Sequence, residues 1–456
     1  MNKKEMYSLF SRVRKVIKKK PEYLVYIYFF LITSVLALSM KILQVGPDET
    51  IHIGIIEHYA KYSLDPFLVK QTTDFNLGEL TRNPSYFYNY ILSIFVRLFR
   101  LLHIYTPYLL RMINVILGSL TLVGLNWLGR ELKLPNKIRF LILFFVANIP
   151  MYLFLSAVVN YDNLVILLST IGITTAVSIS NNFDIKKMYI LTLIIIIGPI
   201  VKLSFVALST VFTIFILYTA VLNRRKMLKS FSSYSHKPLI VILALSIALI
   251  SIGLFSERYG PNLLKYQALK PSCEKVLTDS QCSENFIYTR TKIYKDAKLA
   301  VPTINPVGYI VEWSKIMVSR TYGLLGERSF KNWPIVIMIG NVIFANFLAL
   351  LIIMYRPFKH TKYWFIPASA FVYLAGLILT NINIYRYSQE IGLAVQGRYW
   401  FPILFPLLMY SGYLFQKTFK VAFQNNTNIL LYIAIGLLIV MGPINILHGI
   451  GPHWLR

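Results

Sequence analysis

The sequence is poor in charge, in acidic residues and in cysteine. Charged residues make up 14% of the 456 residues and hydrophobic residues 56%, whereas a soluble domain carries about 25% charged residues. The mean hydropathy is +0.57. This composition excludes a soluble enzyme, a disordered tail and a small secreted domain. Asp and Glu number only 19 against 47 Lys and Arg, so the chain has a net charge of +28.

The sequence has many long apolar runs. A helix needs about 20 apolar residues to cross the hydrocarbon core, whereas an outer-membrane barrel has short alternating strands. We therefore predict an all-α membrane protein, a single transmembrane domain over residues 1–456. About eleven spans are expected, at residues 23–45, 107–128, 140–159, 163–180, 189–201, 203–222, 239–255, 333–355, 363–384, 401–415 and 429–447.

The excess of Lys and Arg indicates topology. Basic clusters lie between the apolar runs, as in cytoplasmic loops of membrane proteins, and this explains the charge better than a nucleic-acid partner does. The basic segment 1–20 predicts a cytoplasmic N-terminus. Alternating sides then places two long loops outside, residues 46–106 and 256–332. Each contains an aromatic amphipathic stretch, 86–103 and 307–325, typical of a helix lying in the membrane interface.

The first candidate site follows the first span, in Gly46-Pro47-Asp48-Glu49-Thr50-Ile51-His52. Asp48 and His52 share a helix face if a helix begins here. A carboxylate at this position could act as a general base. It could equally cap the helix N-terminus. A metal site is less favoured, because no tight cluster of His, Asp and Glu with ligand spacing appears. A divalent metal is thus unsupported, and no cofactor is required.

Three further polar groups lie at predicted outer span ends. Asp162, in Asn160-Tyr161-Asp162-Asn163, is a candidate site acid or a solvated turn residue. Lys202 follows Gly198-Pro199 and either extends toward the headgroups or binds a lipid phosphate. Arg398, in the stretch that begins at Arg386, is an aromatic-belt anchor or a phosphate ligand, since Arg can donate two parallel hydrogen bonds to a phosphate.

Cys273 and Cys282 are separated by eight residues within the second predicted outer loop. An oxidising compartment favours a disulfide between them. The spacing is neither a redox C-x-x-C nor a zinc motif. Their predicted role is to restrain the long loop.

The order of these motifs resembles that of the GT-C superfamily of membrane glycosyltransferases, over nearly the whole chain. The matching residues are Pro47-Asp48-Glu49 with His52, Asn83-Pro84-Ser85-Tyr86-Phe87-Tyr88, Arg111, Asp162, Lys202 and Val395-Gln396-Gly397-Arg398-Tyr399-Trp400-Phe401-Pro402. The last of these looks like an uncharacterised bacterial branch.

The resemblance implies an inverting transferase that uses a polyprenyl-phosphate sugar donor and a glycan or lipid-linked acceptor. It implies that Asp48, with Glu49, takes the acceptor proton, and that Lys202, Arg398 and Arg386 bind the phosphate. Supporting roles are expected for His52, Asp162, Arg111, Tyr88 and Gln396. The implied location is the outer, periplasmic face of the bacterial cytoplasmic membrane, among membrane lipids, in O-antigen or lipopolysaccharide modification.

Two other functions remain open from the sequence. A glycan polymerase or ligase would use similar lipid-linked substrates at an outer site. A transporter of lipid-linked glycans would place ionisable residues near the bilayer midplane and contain repeated, broken spans.

Overall fold

A computed structural model describes residues 20–42, 45–62, 82–234, 238–284, 286–297, 304–323, 333–342, 362–419 and 435–449. Every regular element of more than one residue within these ranges is helical. The first nine α-helices are α1 Glu22–Ser39, α2 Glu49–Tyr62, α3 Phe87–Leu101, α4 Pro107–Glu131, α5 Asn136–Ala147, α6 Pro150–Ser156, α7 Asp162–Asn181, α8 Ile185–Val201 and α9 Val206–Leu222.

The second half of the described chain contains shorter helices between long ones. They are α10 Arg224–Tyr234, α11 Pro238–Tyr266, α12 Cys273–Val276, α13 Asp279–Ser283, α14 Phe286–Asp296, α15 Pro306–Tyr322, α16 at residues 334–342, α17 Phe365–Ser388, α18 Phe401–Phe419 and α19 Ile435–Gly449. Two 3₁₀ turns, Leu203–Phe205 and Gly397–Trp400, precede α9 and α18.

The core is built around α7, which packs against α4, α8, α9 and α18. Most of the α7 window that could cross a membrane is buried inside the protein. Close approach depends on small residues: a Cβ at Gly118 of α4 would lie 2.5 Å from Ser156 Oγ. α1 packs on α4, and α17 packs on α9 and α18. The result is a helical bundle whose inner helices are shielded by outer ones.

The membrane-spanning prediction is confirmed in part. Six of the described helices are long and apolar enough to cross a membrane, and a bent pair makes a seventh. The expected span at residues 333–355 lies mostly outside the described residues, as does the basic segment 1–19, and the expected span at 429–447 is described only from residue 435, as the short apolar helix α19. The count of eleven therefore stays a prediction, and so does the placement of α3 and α15 at the membrane interface.

Two predicted spans differ from the helices that the structure has. The run 140–159 is two helices, α5 and α6, that meet at an angle of 69°, because Pro150 starts a new helix after the break at Asn148 and Ile149. The run 239–255 belongs to a helix that continues to Tyr266. Hydropathy falls at Glu257, but the helix does not end there, and the Glu257 carboxylate pairs with Arg82 at 2.9 Å.

Candidate functional site

Four charged side chains meet at one end of the bundle. Asp48 immediately precedes α2, Asp162 is the first residue of α7, Lys202 follows α8, and Arg398 lies in the 3₁₀ turn before α18. Helix ends at the same end of a bundle bring residues together that are far apart in sequence. We call Asp48, Arg398, Asp162 and Lys202 the charged cluster.

The charges of the cluster alternate along a chain of contacts. Arg398 Nη2 pairs with Asp48 Oδ2, and Arg398 Nε lies 3.0 Å from Asp162 Oδ2. The Lys202 ammonium lies 2.5 Å from the other Asp162 oxygen, Oδ1. The Arg398 and Asp162 side chains are buried, whereas the Asp48 side chain is 46% exposed. Asp48 is therefore the member of the cluster that an incoming molecule can reach most directly.

The backbone around Asp48 is fixed by contacts with distant segments. Asn160 Nδ2 donates to the Pro47 carbonyl at 3.0 Å, and the Asp48 carbonyl accepts from the His52 N–H at 3.0 Å. Asp48 itself has φ 60°, a left-handed conformation that a non-glycine residue seldom adopts. A usual N-cap has extended φ and ψ and turns its side chain to the helix N–H groups. Here the carboxylate reaches Arg398 instead, which favours the site role over capping.

Lys202 is placed by a break after α8. Pro199 has no N–H, so the Ile195 carbonyl four residues earlier loses its helical donor, and Ser209 Oγ donates to it at 2.9 Å. The chain is extended at Lys202, with φ −154° and ψ 129°. The ammonium then lies 4.2 Å from the ring centroid of Tyr399 and 4.8 Å from that of Tyr161, within cation–π range.

Arg398 is positioned by two residues of its own motif, Gly397 and Trp400. A Cβ at Gly397 would come 2.4 Å from backbone atoms of Arg320 and Thr321, so only glycine allows this approach to α15. Trp400 Nε1 donates to Thr321 Oγ1 at 2.9 Å. The 3₁₀ turn is thus held against α15. The Arg398 guanidinium is directed at the carboxylates of Asp48 and Asp162.

Glu49 and Arg111 form a second, fully buried ion pair. Arg111 Nε and Nη2 donate to the two Glu49 oxygens at 2.8 and 2.6 Å, and the Val159 N–H donates to Glu49 Oε1 at 2.9 Å. Arg111 also donates to the Ala37 and Met40 carbonyls at the end of α1. The pair joins α1, α2 and α4 beneath Asp48. Both Glu49 oxygens are engaged, so the geometry favours a positioning role for Glu49.

His52 and Tyr88 belong to a polar layer behind the cluster. His52 Nδ1 lies 3.3 Å from Asn89 Oδ1, and its ring meets the Tyr161 ring edge-on at 4.6 Å. Tyr88 donates to Asn114 Oδ1 at 2.8 Å. All these side chains except Tyr161 are buried. The four buried side chains, His52, Tyr88, Asn89 and Asn114, lie behind the walls of the site and do not line its opening.

Two candidates lie apart from the cluster. Arg386 is exposed in the last turn of α17, and the described contacts of the cluster do not include it. Gln396 precedes the Arg398 turn, and its buried Oε1 has no hydrogen-bond partner among the described residues. The predicted disulfide is confirmed: Cys273 and Cys282 are bonded, with a Cα–Cα distance of 5.8 Å, and they join α12 to α13.

A cavity of about 580 Å³ opens beside Lys202. Its polar end is lined by Asn83, Ser85, Tyr161, Lys202 and Tyr399. Its other wall lies between α9 and α17, where Ala207, Gly376 and Leu377 are apolar and small or aliphatic. A cavity with a cationic end and an apolar wall suits a molecule with an anionic head and a hydrocarbon tail. We call it the amphipathic cavity.

This chain matches one known protein family over most of its length. A family described as "Predicted membrane protein (DUF2142)" matches residues 58–407, which is most of the chain. The chain belongs to this family. The match extends from α2 to α18 and includes Asp162, Lys202 and Arg398. None of the curated proteins matches the chain.

Several solved structures are similar to this DUF2142 protein, at low sequence identity. One is ArnT from Cupriavidus metallidurans bound to undecaprenyl phosphate, with 13% identity, a TM-score of 0.47, and coverage of 87% of this chain and 60% of that one. Another is the archaeal oligosaccharyltransferase AglB from Archaeoglobus fulgidus, in complex with an inhibitory peptide and a dolichol-phosphate, with 12% identity, a TM-score of 0.44, and coverage of 95% and 56%.

A third solved structure is the Archaeoglobus fulgidus oligosaccharyltransferase in complex with Zn and sulfate. It has 14% identity, a TM-score of 0.42, and coverage of 94% of this chain and 53% of that one. The family member therefore spans between half and three fifths of the length of these proteins. Any activity of this protein must therefore be argued from its own residues.

The electrostatics of the DUF2142 protein's site favour an ionised Asp48. Burial acts to raise the pKa of the Asp48 carboxyl, but the positive charges around it, Arg398 foremost, hold that pKa below its ordinary value. Burial lowers the pKa of Lys202, while Asp162 opposes this change. Burial also lowers the pKa of His52 to about 4. His52 is therefore neutral near pH 7.

Sequence reasoning did not single out several residues of this site. Tyr399 forms a wall of the amphipathic cavity, and Asn114 holds Tyr88 and Asn163. Tyr399 lies beside Arg398 in the motif, so its position was a usable signal. Asn114 lies within an apolar span, three residues after Arg111. A polar residue one turn from a buried charge in a membrane helix was the signal for Asn114.

Proposed function

We propose that this DUF2142 protein is an inverting membrane glycosyltransferase that takes its sugar from a polyprenyl-phosphate-linked donor. The observation that carries the proposal is the position of the amphipathic cavity against the charged cluster. Lys202 belongs to both, and Arg398 and Asp48 follow it along the chain of contacts. The lipid phosphate, which is the leaving group, and the base thereby lie next to each other.

The donor lipid fits the shape and chemistry of the cavity. Lys202 at the polar end supplies the positive charge for a phosphate. The cavity wall that includes Ala207 and Gly376 lies on α9 and α17, which are long and apolar enough to cross a membrane, so an isoprenoid chain along this donor groove meets hydrocarbon surroundings. A Cβ at Gly376 would lie 4.0 Å from the Ala207 Cβ, which is ordinary contact, so α9 and α17 meet here and small groups form this part of the cavity wall.

Asp48 has the position and charge state of a general base. Its carboxylate is ionised and half-exposed, and it takes the proton of the acceptor hydroxyl as that oxygen attacks the anomeric carbon. The bond from the anomeric carbon to the phosphate oxygen breaks, and the electron pair remains on the polyprenyl phosphate. One displacement of this kind inverts the anomeric configuration.

The leaving phosphate gains negative charge as the glycosidic bond breaks. Lys202 and Arg398 are fixed in advance by Tyr161, Tyr399 and the two carboxylates, so stabilising this charge requires little rearrangement. Arg398 also connects the two halves of the reaction, because it contacts Asp48 as well as Asp162. A donor phosphate bound beside Arg398 offsets part of its positive charge, which strengthens the affinity of the Asp48 carboxylate for the acceptor proton without moving Arg398.

The site is proposed to face the outer side of a bacterial cytoplasmic membrane, with the N-terminus in the cytoplasm and with O-antigen or lipopolysaccharide modification as the pathway. The basic connectors between spans support this orientation. Labelling of single cysteines introduced at Ser280 and at Lys226, with an impermeant reagent on intact cells, tests it. Reaction at position 280 alone is expected, whereas reaction at 226 alone would reverse the orientation.

A polymerase or ligase would share the donor chemistry, but no described feature favours it over a single-sugar transferase. Transport is not favoured either, because the charged cluster lies at helix ends and a transporter site lies near the midplane. The test is a panel of radiolabelled polyprenyl-phosphate sugars and nucleotide sugars offered to the protein in liposomes. Transfer from the lipid-linked sugars alone is expected. Transfer only from nucleotide sugars would contradict the proposal.

A further inference from the structure

A second cavity of about 580 Å³ lies at the opposite end of the bundle. It is formed where α7 and α9 end and where α17 is about to begin. α7 runs for 20 residues from Asp162 to Asn181, a rise of about 30 Å, which is the thickness of the hydrocarbon core. The two cavities therefore belong to opposite membrane surfaces. We call this second one the basic pocket.

The charged residues that line the basic pocket are both cationic. They are Lys226, in the first turn of α10, and Lys362, which precedes α17. Asp and Glu are absent from the described residues that line it. Burial lowers the pKa of Lys362, and the charge of Lys133 lowers it further. Glu131 opposes that effect, but its carboxylate already accepts hydrogen bonds from Ser178 and Asn181.

The rest of the pocket has a polar part, with Ser180, Asn181, Asn182, Thr219 and Asn223, and an aromatic wall. The rings of Trp364 and Tyr218 meet edge-on with centroids 6.2 Å apart, and Phe215 lies deeper in the wall. The outer face of α9 continues from the pocket as bare hydrocarbon: Leu217 is 62% exposed and Val221 77% exposed. A water-soluble anion would leave this surface unused, whereas a ligand with acyl chains would cover it.

The surroundings also attract an anionic membrane surface. α10 begins with Arg224, Arg225 and Lys226, all exposed, and continues to Lys229. Basic segments beside a membrane helix bind anionic lipids, and basic pockets between such helices bind their headgroups. Trp and Tyr at the same level are typical of the membrane–water interface. We propose that the basic pocket binds the phosphate headgroup of an anionic phospholipid, with its acyl chains along α9.

The experiment compares lipids on the purified protein in detergent. Phosphatidylglycerol, cardiolipin, phosphatidylcholine and inorganic phosphate are each titrated, and binding is followed by native mass spectrometry and by the shift in Tm. The two anionic lipids are expected to bind and raise Tm, and the other two ligands to leave it unchanged. In Lys226→Gln/Lys362→Gln, the affinity for the anionic lipids should fall by about tenfold to thirtyfold.

Two control variants separate this site from nonspecific charge effects. Lys265→Gln/Lys295→Gln removes the same charge from exposed positions elsewhere and should keep the wild-type affinity. Lys226→Arg/Lys362→Arg keeps the charge and should also bind. Lys362 Nζ lies 3.5 Å from the Ser180 carbonyl, so a purely capping role would lower Tm in the glutamine variant without changing lipid affinity. That result would overturn the proposal, as would equal binding of phosphatidylcholine or stabilisation by inorganic phosphate alone.

Discussion

Lys202 and Arg398 contact the same carboxylate, that of Asp162, although they are nearly two hundred residues apart. The Lys202 ammonium is at Oδ1, and the Arg398 guanidinium is at Oδ2. The sequence places both residues at the same ends of their spans, and the fold brings them to one anion. The Asp162 carboxylate therefore holds the two cations close enough to act on one phosphate group, as the proposed mechanism requires.

The first prediction concerns these two cations. Lys202→Ala and Arg398→Lys should each strongly impair use of the lipid-linked donor. Lys202→Ala removes a positive charge beside the phosphate. Arg398→Lys keeps the charge, but an ammonium cannot reproduce the planar fork of a guanidinium. The loss in the double variant should be less than the sum of the two losses in free energy, since both groups act on one phosphate. Donor titrations of all four proteins provide the measurement. Strict additivity, or full activity of Arg398→Lys, would show that the residues act separately.

The second prediction uses the left-handed backbone at Asp48. Glycine adopts φ 60° freely, whereas alanine pays roughly 1–2 kcal/mol there. Asp48→Gly should therefore unfold at a higher temperature than Asp48→Ala, although both lack the carboxylate and both should be inactive. Thermal unfolding in detergent compares them. Equal stability of the two variants would mean that the strain at this position is absent in the membrane protein as isolated.

The third prediction separates Glu49 from Asp48. Glu49→Gln leaves the Arg111 guanidinium buried without its counter-charge, and breaking one partner of a buried pair costs about 3–5 kcal/mol. We expect a large fall in Tm and in yield. Replacing both members, as in Glu49→Gln/Arg111→Met, should recover part of the stability. A Glu49→Gln protein with normal Tm and no activity would instead give Glu49 the role of the base.

The fourth prediction concerns the donor groove. Gly376→Leu adds an isobutyl group opposite Ala207 and should raise KM for a long-chain polyprenyl donor. A donor analogue with a short chain ends before this point and should be used as well as by the wild type. Leu379→Phe lies on the exposed face of the same helix and serves as the matched control. Equal loss with both donors would place the lipid chain elsewhere.

The site was more predictable from sequence than the helix boundaries were. Asp48, Asp162, Lys202 and Arg398 stand out because most charged residues near the spans lie in the predicted inner connectors, and alternation of sides places these four together at the outer ends. Hydropathy could not show that α11 continues past Glu257, since a helix can leave the membrane without ending. Nor could hydropathy show that Arg386 lies apart from the charged cluster. Like Arg398, Arg386 is an arginine at a predicted outer span end, but it lies on the exposed side of α17.

The roles within the cluster depended on packing that the sequence does not display. Glu49 follows Asp48 directly and looked equivalent to it as a base. One residue of helix rotation carries its side chain inward to Arg111 and away from the opening. The angle between α5 and α6 was not predicted, although Asn148 and Pro150 interrupt the apolar run 140–159 and were a usable signal for a break.

The central claim is that Asp48 removes the acceptor proton, and Asp48→Asn tests it most directly. Asn tolerates the left-handed conformation and keeps the side-chain shape, so the variant should fold and bind the labelled polyprenyl-phosphate sugar as the wild type does. Measured with saturating donor and acceptor in liposomes, its turnover should fall by about 10²–10⁴-fold. Turnover near the wild-type value, in Asp48→Asn protein of normal abundance and Tm, would contradict the account.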